Sequence, residues 1–155
     1  MKYLGENNIN LFLNFLKETN HKMRPCSKND LIKLRQIANE KELPASYMSF
    51  MKDAGNGIRF FKGSSYNMSE IFNLQEWAIE LLDEDGSDEM LTDNDFVFFM
   101  HQGYQFYFFK LNEGNDPPVY FYEEGENSKS FIKKYKSFTD FIIKYYNEVE
   151  SLIKE

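Results

Sequence analysis

Residues 96–122 read FVFFMHQGYQFYFFKLNEGNDPPVYFY, and this aromatic stretch decides the fold. Runs of aromatic and β-branched residues favour strands, and turn-forming residues divide the stretch at Gln102-Gly103 and over residues 112–117. The pattern therefore predicts a meander of three antiparallel strands, over residues 96–101, 104–111 and 119–122.

Nearly every residue of the first two predicted strands is apolar or aromatic, whereas a half-exposed strand would alternate. We therefore expect both faces of the sheet to be covered, one by helices and the other by more of the chain or by a partner. Dense core packing explains the aromatic content most simply, and the alternative is an exposed aromatic binding surface.

Helices are predicted at both ends of the chain. Residues 3–19 carry apolar side chains at helical spacing, Leu4 among them. Near the other end, Ser137 is the predicted cap of a last helix, with Asp140 at the capping-box position and Leu152 on its apolar face.

Two more helices are predicted before residue 58. The first follows Ser27, which forms a capping-box pattern with Asp30. The second begins at Leu43-Pro44, because proline is well placed where a helix starts, and it ends at Gly55-Asn56-Gly57.

The segment between these helices and the sheet contains a short predicted strand at residues 58–61. Asn73 and Glu76 form another capping-box pattern, which predicts a helix with Trp77 on its buried side. Residues 83–95 are rich in carboxylates and are predicted to form a loop that leads into the sheet.

Together these elements predict an α+β fold with N-terminal helices, a central, mostly antiparallel sheet and a C-terminal helix. Residues 130–135 are a candidate fourth strand of the sheet. A chain of 155 residues is long enough for one core, so we expect a single domain over residues 1–155.

Composition indicates a soluble cytoplasmic protein. The single cysteine, Cys26, excludes an internal disulfide, and this fits a reducing compartment. We find no leader pattern at the start of the sequence and no run of about 18 apolar residues that would span a membrane.

Charge is distributed unevenly along the chain, whose net charge is −7. Residues 83–127 contain one basic residue, Lys110, and twelve acidic ones. These twelve are Asp83, Glu84, Asp85, Asp88, Glu89, Asp93, Asp95, Glu113, Asp116, Glu123, Glu124 and Glu126. Such a surface repels nucleic acid and suits a basic protein partner. The alternative is an acidic rim that only keeps the domain soluble.

No pattern of catalytic or metal-binding residues stands out. His21 and His101 are far in sequence from each other, and neither shows a motif with Cys26. No zinc spacing is present. A calcium loop starting at Asp83 would have its glycine at the fourth position and Asn94 at the twelfth, unlike an EF-hand. We therefore predict no enzyme activity, metal or cofactor.

A set of motifs along residues 27–145 resembles the SUKH superfamily of Smi/Knr-type domains. An amphipathic helix is followed by an LP-x-x-Y pattern, a Phe-hydrophobic pair and an N-G turn, and the aromatic strands come later. The signature positions are Leu43, Pro44, Tyr47, Phe50, Gly55, Gly57 and Phe141. We interpret them as structural, with Tyr47 and Phe50 in the core. The family often carries a glutamate in the preceding helix and a glycine shortly before the LP pair, whereas we read Gln36 and Glu40 there.

The resemblance implies a protein-binding domain without catalytic activity. Bacterial members are commonly encoded beside polymorphic toxins and neutralise them by binding, so the leading hypothesis is an immunity protein whose acidic residues contact a basic toxin domain, such as a nuclease. A regulatory or adaptor protein of the same fold is the second hypothesis. A small-ligand binder or enzyme with an aromatic pocket near Trp77 and Tyr104 is the third.

Overall fold

The computed structural model describes residues 1–153, which form five α-helices, seven strands and one short 3₁₀ helix. In chain order these are α1 (Ile9–Glu18), β1 (Met23–Arg24), α2 (Lys28–Ile37), α3 (Ala45–Ala54), β2 (Gly57–Ile58), the 3₁₀ helix (Arg59–Phe61), β3 (Ser64–Ser65), α4 (Ile71–Glu84), β4 (Asp95–His101), β5 (Gln105–Lys110), β6 (Val119–Glu123), β7 (Ile132–Tyr135) and α5 (Phe138–Ile153). The predicted α+β class, with a helix at the C-terminal end, is confirmed.

The main sheet has the strand order β3-β4-β5-β6-β7, and every neighbouring pair is antiparallel. The predicted meander and its fourth strand are therefore confirmed. The turn between β4 and β5 contains two residues with positive φ, Gln102 at 48° and Gly103 at 79°. Glycine adopts this conformation without strain, which is why the chain reverses here.

One face of the sheet packs against α3 and α5. The ring of Tyr47 on α3 lies 5.2 Å from that of Phe109, and the ring of Phe141 on α5 lies 4.9 Å from that of Tyr107. A register shift between Val97 and Phe99 interrupts the alternation of β4, so the neighbouring residues Phe98 and Phe99 both contact Phe141.

The other face is covered by α4, which packs against β4, and by the chain that precedes β7. The Phe131 ring lies 4.7 Å from that of Phe108 and 6.2 Å from those of Phe106 and Tyr122. Both faces of β4 and β5 are thus covered as predicted, and the buried rings favour core packing over an exposed aromatic surface.

Three local predictions were wrong in their details. The first helix begins at Ile9 after the cap Asn8, not at residue 3, and Leu4 is 91% exposed. Leu152 at the other end is also exposed. Only Ile58 of the predicted strand at 58–61 is extended, because the 3₁₀ helix that follows buries the two successive rings of Phe60 and Phe61, which a strand would point to opposite faces.

The start of α4 was also predicted wrongly. The helix begins at Ile71, so Asn73 lies in its first turn and caps nothing. The buried stripe is Ile71, Leu74, Ala78, Leu81 and Leu82, which turns Trp77 to the rim of the helix, where it is 37% exposed. By contrast, the Ser27–Asp30 capping box of α2 is present in both directions, and the Ser137 hydroxyl accepts from the Asp140 amide as predicted.

The aromatic signature residues lie in the core of this fold. Tyr47, Phe50 and Phe141 are almost fully buried. Gly55 has an ordinary φ of −67°, and a β-carbon added there would lie 2.2 Å from Cys26 Sγ. Glycine is needed at this position because two chain segments meet closely, not because of backbone conformation.

Candidate acidic interface

The twelve predicted acidic residues divide into two groups of six. The first group accepts hydrogen bonds that hold the fold together: Asp85, Glu89, Asp95, Glu113, Asp116 and Glu123. The second group is exposed and, among residues 1–153, makes no hydrogen bond or ion pair through its carboxylates: Asp83, Glu84, Asp88, Asp93, Glu124 and Glu126.

Asp85 and Glu89 attach the segment after α4 to the chain around β6 and β7. The carboxylate of Asp85 accepts from the Tyr122 hydroxyl at 2.5 Å, the Gly125 amide at 3.2 Å and Lys129 Nζ at 3.2 Å. The hydrogen bond from Tyr122 is the main cause that holds the pKa of Asp85 below its ordinary value. Burial, followed by this bond, raises the pKa of Tyr122 to about 12. Glu89 accepts from the Phe131 amide at 2.7 Å.

Asp95 is a buried residue of β4, not a loop residue as predicted. It accepts from the amide and hydroxyl of Thr92 at 2.8 and 3.1 Å and from Lys110 Nζ at 3.3 Å. Its side chain closes the turn before the strand, so it offers a partner almost no surface.

Three further carboxylates also have partners within the fold. Glu113 accepts from the Tyr120 hydroxyl, and Glu123 accepts from Gln105 Nε2. Asp116 accepts from both the amide and the hydroxyl of Thr139 at the start of α5, in the manner of a helix cap. These contacts explain why the sequence places acids there without reference to a partner.

The exposed acids do not form one continuous patch. Asp85 bonds to Gly125, so the end of α4 with Asp83 and Glu84 lies next to the β6–β7 turn, which carries Glu124 and Glu126. Asp93 precedes β4 and lies near the opposite ends of the strands, where Asp95 pairs with Lys110. The structure thus brings together four of the predicted exposed acids.

An additional surface that the sequence analysis missed lies on α4. We define the α4 surface as the exposed side chains of this helix: Phe72, Asn73, Glu76, Trp77, Ile79, Glu80, Asp83 and Glu84. With 3.6 residues per turn, the acids Glu76, Glu80 and Asp83 run along the middle of this face, with apolar side chains on both flanks. Phe72 and Ile79 are each 51% exposed. The helical spacing of the buried stripe could have revealed Ile79, whereas Phe72 precedes Asn73 and fell outside the predicted helix.

The third hypothesis, a pocket between Trp77 and Tyr104, gains no support. Trp77 lines an open cleft of about 360 Å³ with Met100, Gln102 and Gly103. The Tyr104 ring instead packs edge-on against His101, 5.7 Å away.

Burial is the main cause that raises the pKa of Cys26 to about 11, so its thiol is protonated at neutral pH.

Residues 1–153 contain neither a metal-binding cluster nor a helix that could span a membrane. No group of three or more His, Cys, Asp or Glu side chains in this range is placed to hold a metal ion. None of the helices in the same range combines the length and apolar character that a membrane span requires.

Comparison with known proteins identifies one family. The model of the family SUKH_6, described as SMI1-KNR4 cell-wall, matches residues 29–142. The match begins in α2, ends in α5 and includes α3, α4 and the whole main sheet. No curated protein matches the sequence.

Proposed function

The chain belongs to the SUKH_6 family of SMI1-KNR4 domains, and we propose that it is an immunity protein that binds and neutralises a basic toxin domain. It acts in the cytoplasm as one domain over residues 1–155, and it catalyses no reaction. The support is the sequence resemblance to immunity proteins of this superfamily together with the charge and shape of the α4 surface.

The α4 surface is the observation that carries the proposal. Interfaces take most of their binding energy from a few large side chains, often aromatic, surrounded by a polar rim. Here Phe72, Trp77 and Ile79 expose apolar area beside carboxylates. A surface of this kind combines an apolar anchor with a charge that selects the partner.

The charge of this surface supports a basic partner. Helix α4 carries Glu76, Glu80, Asp83 and Glu84 and no basic residue. Close by, the β6–β7 turn adds Glu124 and Glu126. A nuclease toxin presents a basic surface to nucleic acid, so an acidic domain that covers this surface would associate quickly through electrostatic attraction and block the substrate.

The test is binding and inhibition of a candidate toxin domain, taken from a toxin gene beside this one. We expect the purified protein to bind it and abolish its activity, and Trp77→Ala to weaken binding about 30-fold, as loss of a hot-spot residue worth about 2 kcal/mol would. Ile79→Ala should also weaken binding. Ile32→Ala is the matched control, because Ile32 on α2 is 54% exposed and lies outside the α4 surface.

Two failures are distinguishable in this experiment. A toxin domain that is neither bound nor inhibited would reject the proposed function. If the protein binds tightly and neither Trp77→Ala nor Ile79→Ala weakens binding, the proposed function stands. The α4 surface would then be rejected as the binding site. Thermal unfolding of each variant separates lost binding from lost folding.

A regulatory or adaptor role is the second candidate, and the description of the matching family model, SMI1-KNR4 cell-wall, favours it. Deletion of the gene distinguishes the two functions. Loss of an immunity protein harms only cells that meet the toxin. Loss of a regulator changes cell-wall synthesis even when no toxin is present.

A further inference from the structure

A second charged feature lies outside the α4 surface and carries the opposite sign. A cleft of about 770 Å³ opens beside the β1–β2 ribbon and is lined by four exposed basic residues, Lys22, Arg24, Arg59 and Lys62. The chain has three arginines, and two of them are in this cleft. Such a concentration contrasts with a protein whose net charge is −7.

These four basic side chains have no acidic partner in the part of the chain that the structure describes. The only acidic residue in the lining is Glu70, whose carboxylate accepts a hydrogen bond from Ser65 Oγ at 2.7 Å. Four cations against one carboxylate leave an excess of three positive charges around the cleft. Unpaired like charges repel one another, so an anion bound between them would be stabilised.

The backbone supports this arrangement. Arg24 pairs with Gly57 across the β1–β2 ribbon, and a β-carbon on Gly57 would lie 3.3 Å from Cδ of Arg24. Because Gly57 has no side chain, the aliphatic part of Arg24 can lie across the ribbon at the cleft. Gly63 also lines the cleft, with a φ of +89°, and a β-carbon added there would meet nothing within 4 Å.

We propose that this cleft binds a small ligand that carries several phosphate groups. Its volume falls within the usual range for small-molecule sites, about 300–1,000 Å³. Arginine matches phosphate through two parallel N–H donors, and lysine adds a point charge. A chain of phosphates places three or four negative charges in a compact volume, whereas a carboxylate ligand would need as many separate carboxyl groups. Long nucleic acid is disfavoured because it would extend toward the acidic surfaces.

Isothermal titration with inorganic tripolyphosphate tests the proposal. We expect saturable binding at one site that weakens as salt is raised. Arg59→Gln should weaken it about tenfold, because the variant loses the charge-assisted hydrogen bonds of the guanidinium to phosphate. Arg35→Gln is the matched control, since Arg35 is the remaining arginine and lies on α2 outside the cleft.

Adenosine triphosphate forms a second arm that separates two sources of the same chemistry. Tighter binding than tripolyphosphate indicates a nucleotide, and equal binding indicates recognition of the phosphate chain alone; both support the site. Absence of saturable binding, or an equal loss in Arg35→Gln, would overturn the proposal. So would tighter binding of a single-stranded oligonucleotide or of a glutamate-rich peptide. Thermal unfolding confirms that both variants are folded.

Discussion

The carboxylate of Asp85 accepts hydrogen bonds from groups in or after β6, namely Tyr122, Gly125 and Lys129. These partners lie 37 to 44 residues further along the chain. The sequence analysis treated Asp85 and its acidic neighbours alike, because composition shows charge but not which tertiary partners meet it. The structure separates Asp85, which ties the end of α4 to the sheet, from Asp88, which faces solvent.

Asp85→Asn should therefore lower the thermal unfolding temperature at pH 7, since a charge-assisted interaction becomes a weaker neutral one. The pKa of Asp85 is lowered in the folded state, so its contribution is complete above the ordinary carboxyl pKa and disappears as pH falls through the lower folded value. The difference between the original protein and the variant should thus shrink in strong acid.

Asp88→Asn is the control, because Asp88 is exposed and has no partner among the described residues. It should leave the unfolding temperature unchanged at every pH. A difference for Asp85→Asn that persists in strong acid would show that shape, not charge, is responsible. No difference at pH 7 would leave Asp85 free for a partner.

Gly55 shows another limit of the sequence at the scale of a residue. The glycine at position 55 correctly predicted the end of α3, but the φ of Gly55 does not lie in the left-handed region. The reason for the glycine is the Sγ atom of Cys26, a contact across about 30 residues that only the fold reveals. Local rules identify such a position, whereas its cause is tertiary.

At the scale of elements, strands β4 to β7 and the starts of α2, α3 and α5 were predictable because their signals are local. Ser27 and Asp30 bond each other within one turn, and the turn at Gln102-Gly103 follows from two adjacent residues. The start of α4 was not predictable in this way. No side chain caps it, so the capping pattern at Asn73 misplaced it. Trp77 was misplaced for a different reason: it lies at the edge of the buried stripe, where spacing alone does not decide burial.

Phe50 on α3 and Phe72 on α4 form a matched pair, because the first is a core side chain and the second is exposed. Phe50 is 1% exposed, and its ring lies 5.7 Å from that of Phe61 and 6.0 Å from that of Phe138. Phe50→Ala should lower the free energy of unfolding by about 3–5 kcal/mol, because it leaves a cavity in the core. Phe72→Ala should change it by no more than about 0.5 kcal/mol.

Chemical denaturation measures both values, and toxin binding completes the comparison. Phe72→Ala should weaken binding while the fold stays intact. If the two substitutions were equally destabilising, Phe72 would be part of the core, and the α4 surface would lose one of its three apolar anchors.

At the scale of the whole molecule, the charges are separated into two regions. The α4 surface and the β6–β7 turn are acidic, and the cleft beside the β1–β2 ribbon is basic. The sequence indicated only part of the acidic region, because residues 83–127 carry twelve acids and one base, whereas Glu76 and Glu80 of α4 lie before them. It did not predict the cleft, since Lys22 and Arg24 come close to Arg59 and Lys62 only when β1 pairs with β2.

Charge reversal tests whether the acidic region steers a basic partner. The variant combines Asp83→Lys, Glu84→Lys and Asp88→Lys and leaves Asp85 intact, because its carboxylate holds the fold. We expect the association rate with the toxin domain to fall at least about tenfold at low salt. The dissociation rate should change much less, since exposed charges at a rim act mainly on encounter. The free energy of unfolding should barely change.

A second triple variant, with Glu6→Lys, Glu18→Lys and Glu42→Lys, makes the same change in net charge at exposed positions before α3. Stopped-flow kinetics at several salt concentrations compare the two. The slower association of the first variant should recover as salt rises, because the screening length falls to about 8 Å at physiological ionic strength. If both variants slowed association equally, net charge alone would be responsible. If neither changed it at any salt, the acids would be a solubilising rim, and the partner would bind through the apolar side chains of α4 without steering.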